Sequence, residues 1–276
     1  MGSIVSDQFS SLLIAGAGRA GLNIAARAAK CGLAVRLWDI NVPAEPFTAA
    51  AQALALPIIV ASAPPALLPG EFTLVCVPDG SIDGAVEALE ADQPRRPMAV
   101  VSGNAPLPRT KEGEELLRFH PAFSFPTPAL PDLLLDRVTV VASGPQSAMP
   151  AARWLAQRLQ WGLVEVQQLD TLPYHTACVF ASNLTSACLA SASSLLQGAG
   201  FNPLQAQAVL SSLLTTPSSD LRPLDAPQRF SGPASRHDTQ TLNRESQMLR
   251  QRLPEAEQLF ISGNLLISEM SKKPSV

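Results

Sequence analysis

Short apolar runs and amphipathic stretches alternate through the first half of the chain. SLLIAG (11–16) is an apolar run that ends at glycine. GLNIAARAAKCG (21–32) has helical spacing and closes on Gly32, a residue suited to a helix C-cap. AVRLWDI (34–40), FTLVCVP (72–78) and MAVVSG (98–103) are further strand-like runs, and RVTVVAS (137–143) alternates as a strand does. Strand–helix–strand alternation of this kind predicts a mostly parallel sheet with right-handed crossovers.

From about residue 148 the pattern becomes helical. Segments 149–160, 173–200, 203–216, 237–253 and 255–270 are rich in Ala, Ser, Leu and Gln and carry no strand-like alternation. The stretch SGPQSAMP has linker composition, so the expected division is an α/β domain over 1–147 and an all-helical domain over 148–276. Of the 25 prolines, four fall at 57–69 and four at 121–131, which predicts two stiff loops.

Composition narrows the functional classes. Of the 276 residues 46% are hydrophobic and only 16% are charged, against about 25% in an average soluble protein. The missing charge points to surface covered by a partner subunit. A net charge of −3 with no basic tract argues against nucleic acid as a partner. Cys31, Cys76, Cys178 and Cys188 form no C-x-x-C pair and lie among apolar neighbours, so buried thiols in a reducing compartment are expected. The first ten residues lack a basic segment followed by an apolar core, and no run of about 18 apolar residues occurs. A cytoplasmic protein without a membrane span is the expectation.

Candidate chemistry begins at LLIAGAGRAGLNIAARAA. Gly16, Gly18 and Gly21 form G-x-G-x-x-G between a strand and a helix, which is the context this phosphate-binding fingerprint requires. Gly16 would make the tight turn, Gly18 would admit a pyrophosphate to the backbone, and Gly21 would let helix and strand pack closely. Ala17, Arg19 and Ala20 complete a loop whose N–H groups face the phosphates. Asp39 ends the second strand, 21 residues after Gly18, where a carboxylate meets a ribose 2′-hydroxyl. A carboxylate there repels a 2′-phosphate and so favours NAD over NADP; Arg36 and Asn41 lie nearby. The later strand ends, VPDGS with Val77 and Pro78, SGNAP with Ser102 and Gly103, and the proline-rich RFHPAFSFP loop with His120, belong on the same sheet edge.

Two polar groups mark the helical half. No Lys, Arg, Asp or Glu occurs between Asp170 and Asp220, and YHTACVFASN opens that segment with the chain's only tyrosine, Tyr174, beside His175. On a regular α-helix His175 and Ser182 share a face. Asn183 would be turned about 80° from His175 and lie roughly 12 Å further along the axis. The two side chains could flank a ligand, or each could be satisfied by packing. The small residues around them suit close helix–helix approach, as in a dimer core. In RFSGPASRHD (229–238), Gly232 and Pro233 form a turn. Arg236 is a candidate carboxylate clamp or else a structural partner of Asp238, and Asp238 could act as a helix N-cap.

Taken in order, the glycine fingerprint, SG after a strand, HP…SFP, YH…ASN and a TGP-x-x-R-G-D-like loop resemble a bacterial family of Rossmann-like proteins. That family carries a C-terminal helical domain of unknown function and belongs to the 6-phosphogluconate dehydrogenase-like superfamily. The resemblance spans about residues 11–270. It implies a dinucleotide-binding domain followed by an all-helical dimerisation domain, and hence a homodimer. The matching positions are Gly16, Gly18, Gly21, Ser102, Gly103, His120, Pro121, Tyr174, His175, Asn183, Gly232, Pro233, Arg236 and Asp238. Some relatives resemble ketopantoate reductases. The chain departs from the pattern at Val100 and Val101, where a histidine is usual, and at Ser231, His237 and Glu245. The proton-donor lysine of related hydroxyacid dehydrogenases has no counterpart in 173–200.

The expected function is an NAD- or NADP-dependent oxidation or reduction of a small carboxylate-bearing keto, imino or hydroxy compound. Arg236 would hold the carboxylate, Asn183 the substrate oxygen, and His175 or His120 would move the proton. The alternative is a non-catalytic dinucleotide-binding dimer that acts as a sensor or assembly partner.

Overall fold

The computed structural model describes residues 9–92, 97–219 and 230–272. Arg229 of the quoted loop and the first eight residues lie outside them. The chain divides into two compact units, Met1–Ser182 and Asn183–Val276.

The first unit is built on one eight-stranded sheet. Its strands are β1 (Ser11–Ala15), β2 (Ala34–Asp39), β3 (Ile58–Val60), β4 (Glu71–Val75), β5 (Met98–Val100), β6 (Leu117–Pro121), β7 (Thr139–Ser143) and β8 (Gly162–Glu165). They lie in the order β3-β2-β1-β4-β5-β6-β7-β8. Every pairing is parallel except β6 with β7, so the expected mostly parallel sheet is present.

The near-continuous apolar runs follow from burial of both sheet faces. Successive β1 side chains point to opposite sides. Leu12 and Ile14 join the core formed with α1 (Arg19–Lys30) and α5 (Met149–Leu159), through Leu22, Ala25, Ala28, Ala152 and Leu155. Leu13 and Ala15 join the opposite core, with Ile82, Val86 and Leu89 of α3 (Ile82–Asp92). Two short helices, α2 (Phe47–Ala53) and α4 (Asp132–Leu135), occupy the connections.

The expected break at 147/148 differs from this division. Helix α5 packs on β6, β7 and β8. Strand β8 pairs with β7 in residues expected to be helical only. Segment 162–165 is four residues with one mostly shielded position, too short to carry a periodic signal against its helical neighbours.

A helix then runs without interruption over Thr171–Gly198. It consists of α6 (Thr171–Cys178), a π-helical stretch Val179–Leu184, and α7 (Thr185–Gly198). By length and composition it could cross a membrane, with a mean hydropathy of 1.3 and none of its apolar window buried. This differs from the expectation that no segment would pass that test. Core helices of soluble proteins also pass it.

In the second unit α7 packs against α8 (Pro203–Ser219), and α9 (Thr239–Arg252) against α10 (Pro254–Met270). Glu257 ties α10 to α9 through Arg250 and Ser246. The cysteines do not share the expected burial. Cys76 is buried, Cys31 and Cys178 are half-buried, and Cys188 is exposed.

Candidate functional site

The glycine turn sits where β1 hands over to α1, at the point where the strand order reverses between β1 and β4. Gly16 has φ +109°, and a Cβ there would lie 2.4 Å from the Cys76 carbonyl oxygen. A Cβ on Gly21 would lie 2.0 Å from the Gly16 carbonyl oxygen, so strand and helix touch at backbone distance. Gly18 is different: a Cβ there would meet nothing within 4 Å. Its surface is open, and the first N–H groups of α1 have no acceptor within the helix. These residues fit a pyrophosphate. Arg19 opens the helix in an exposed position and Ala20 is half-buried.

The Asp39 carboxylate accepts the Ala17 N–H at 2.9 Å through Oδ2 and the Asn41 N–H at 3.1 Å through Oδ1. It therefore fixes the glycine loop from the end of β2. Arg36 is turned away, bonded to Glu71 and to the Ala66 carbonyl. Beside Asp39 lies a cavity of about 400 Å³ lined by Gly16, Trp38, Ile40, Val77, Gly80, Ser81, Gly84, Ala85 and Ala88. Small residues, Gly80 and Ser81 before α3 and Gly84, Ala85 and Ala88 within it, form one side of this cavity. Val77 faces this cavity, and Pro78 leads into the short turn Asp79–Ser81.

Further along the same edge stands a compact polar group. Ser102 donates its hydroxyl to Asp79 at 3.0 Å and accepts the N–H groups of Asn104 and Ala105. Arg118, on β6, donates to the carbonyls of Ser102 at 2.5 Å and Ala105 at 2.7 Å. The loop after β5 is thus clasped from two sides. The register pairs Val100 with Arg118, which brings His120 level with Ser102. His120 was expected in a proline-rich loop; it stands on strand β6 instead, because the charged Arg118 masks an otherwise apolar run.

His120 Nδ1 lies 2.6 Å from the Tyr174 hydroxyl, with the rings edge-on and their centroids 5.5 Å apart. Gly103 lies against both histidines. A Cβ on it would be 3.0 Å from His120 Nε2 and 3.1 Å from His175 Nδ1. His175 Nδ1 is buried and has no hydrogen-bond partner among the described residues. Burial first, then His175 and Arg118, push the His120 imidazole down to about 4, so it is neutral at neutral pH. Burial, and the Cys178 thiol beside it, push the Tyr174 hydroxyl up.

The remaining expected residues lie in the second unit. Asn183 falls within the π-helical stretch, so the α-helical rotation and rise reckoned from His175 do not hold. Arg236 is exposed. Asp238 caps α9, accepting the Thr241 N–H and hydroxyl, as expected of an N-cap. His237, with φ +55°, meets Ser268 at 3.0 Å.

Asp79 and Arg118 were not singled out from the sequence. Their signals were an acid directly after Val77-Pro78 and a cation inside an apolar strand. Asn23 was also missed. It is buried in α1 and holds the proline-rich loop by bonds to Thr127 and Leu130.

Strand order, glycine turn and terminal acid together define a Rossmann-like fold of the dinucleotide-binding type, followed by a helical region. Residues 138–262, just under half of the chain, match the family described as "Domain of unknown function (DUF2520)". The resemblance read from the sequence therefore holds at the level of fold, and the match to a domain of unknown function covers residues 138–262. No curated protein matches the chain. Among solved structures, a proposed NADP oxidoreductase from Bacteroides fragilis aligns with a TM-score of 0.75 at 18% identity, covering 95% of this chain and 99% of its own. A Thermotoga maritima protein aligns at 0.58 and 17% identity, covering 95% and 98%. Plasmodium falciparum pyrroline carboxylate reductase with NADP bound aligns at 0.57 and 10%, covering 95% and 99%. At these identities the likeness establishes the fold.

Proposed function

We propose that this chain is a nicotinamide-dinucleotide-dependent oxidoreductase that acts on a small carboxylate-bearing keto, imino or hydroxy compound. A ketopantoate-like 2-keto acid would be one member of that class. The observation that carries the reading is the pairing of an open Gly18 cradle with the Asp39 carboxylate on one sheet edge, next to two imidazoles. The cofactor would supply or take the hydride. The chain's own part is to bind, to orient and to move a proton. Gly16, Ala17, Gly18, Arg19, Ala20 and Gly21 would hold the pyrophosphate, and Asp39 the ribose hydroxyls. Val77, Pro78 and the loop at Ser102 and Gly103 would border the nicotinamide end. NAD is favoured over NADP because Asp39 presents a negative charge where a 2′-phosphate would sit and Arg36 is already held by Glu71.

His120 is the proposed proton donor in the first unit, with His175 beside it. Asn183 and Arg236 keep their proposed roles toward substrate oxygen and carboxylate; Arg236→Gln should raise KM for a carboxylate substrate more than it lowers kcat. The helical region also supports a homodimer. Leu204, Leu213, Leu265 and Leu266 are large apolar residues left exposed in the single chain. Equilibrium sedimentation would give twice the chain mass if so. A thermal-shift series with NAD(H), NADP(H) and a panel of keto acids tests the main reading. Ligand that binds the native state raises apparent stability by mass action. A rise with NADH exceeding that with NADPH is expected, and no rise with any dinucleotide would remove the proposal.

A further inference from the structure

Tyr174 is the one aromatic hydroxyl of the chain, and the expectations above left it without a task. Its oxygen lies 2.6 Å from His120 Nδ1, a short bond even for an O–H donor. A short bond between two neutral groups has two possible directions. A phenol is far more acidic than a neutral imidazole N–H, and an imidazole nitrogen is a far better base than a phenol oxygen. The hydroxyl therefore donates and Nδ1 accepts, which leaves the ring proton on Nε2. That nitrogen faces Gly103, where the absence of a side chain lets it come close to the loop after β5. The groups that act on this imidazole are Arg118, His175, Asp79 and Tyr174 itself.

Resting on the oxidoreductase reading, we infer that Tyr174 is a positioning residue: its hydroxyl locks His120 as the Nε2–H tautomer and replaces the proton that Nε2 gives to substrate. The step balances in atoms and charge. When the carbonyl carbon of a keto substrate has been reduced, its oxygen carries a negative charge. The Nε2–H bond breaks as the new O–H bond forms, and the Tyr174 O–H bond breaks as Nδ1–H forms. The imidazole ends neutral in the opposite tautomer, and the negative charge rests on the Tyr174 oxygen. Arg118 is a buried cation bonded only to carbonyls in this group, and its field acts on that oxygen. Tyr174 is half-buried, so water can restore its proton.

The test needs no substrate. With three histidines and one tyrosine, nitrogen-labelled histidine gives a spectrum in which His120→Asn assigns the His120 signals. In the wild-type protein at neutral pH the expected state has His120 Nε2 protonated and Nδ1 bare. In Tyr174→Phe, which removes only the hydroxyl, the two tautomers should mix. If that variant fails to fold, uniform fluorotyrosine labelling changes Tyr174 alone and should move the His120 nitrogen signals. A protonated Nδ1 in the wild type, or a tautomer indifferent to both changes, overturns the inference. If the tautomer result holds but NADH does not bind, the oxidoreductase reading fails while the Tyr174–His120 geometry stands. Once a substrate is known, Tyr174→Phe should lower kcat by about 100-fold with KM little changed.

Discussion

Gly103→Ala is the smallest change that probes the polar group at the sheet edge. The backbone at Gly103 lies outside the left-handed region, so alanine brings no conformational strain of its own. The cost is contact. The new Cβ would stand 3.0 Å from His120 Cε1 and Nε2 and 3.1 Å from His175 Nδ1, each several tenths of an ångström inside ordinary contact. His120 cannot retreat freely, because its far side is held by Tyr174 at 2.6 Å. Relief must shift two rings or the clasped loop. Overpacking of this kind costs about 1–3 kcal/mol. For a protein of this size that lowers Tm by roughly 3–10 °C. Thermal unfolding followed by circular dichroism gives the shift, and the histidine nitrogen spectrum shows whether both rings moved. An unchanged Tm with unmoved His120 and His175 signals would refute the packing described here.

Gly18→Ala should leave Tm unaltered, because its Cβ meets nothing, yet weaken dinucleotide binding by about tenfold or more, since the methyl occupies the pyrophosphate approach. Gly16→Ala should do the reverse first: with φ +109° and a 2.4 Å clash against the Cys76 carbonyl it should unfold at clearly lower temperature before binding is considered. The depressed His120 imidazole makes stability depend on pH. The unfolded chain takes up that proton near 6.5 and the folded chain only near 4, so the His120 contribution is complete above about 6.5 and is lost as pH falls toward 4. The size is about 3 kcal/mol, and urea unfolding across that window should show a shallower slope in His120→Asn than in the wild type.

The glycine-turn half of the candidate site was legible because its signal is local. A strand, three glycines at fixed spacing, an alanine-rich helix and an acid at the next strand end are each written in consecutive residues; Gly16, Gly18 and Gly21 stand at the expected strand-to-helix junction and Asp39 at the expected strand end. The polar group was legible only as parts. His120 and His175 are 55 residues apart and meet over Gly103 because of β5–β6 register, which no periodicity encodes. Arg118 lay unremarked beside His120 in the sequence, whereas its burial against two carbonyls makes it a clasp within β6. The π-helical stretch at Val179–Leu184 also left no mark, since Ala, Ser and Asn serve α and π turns alike. Helical spacing counted across it misplaced Asn183. The all-helical expectation after residue 148 failed at β8 for a related reason: four residues borrow their pairing from β7, not from their own pattern.

Binding of NADH to the purified wild-type protein, followed by titration calorimetry beside Gly18→Ala, tests the central claim most directly. The account predicts a saturable site on each chain for the wild type and a weakened one for the variant, at equal thermal stability. Absence of wild-type binding, or equal affinity in both proteins, would contradict it.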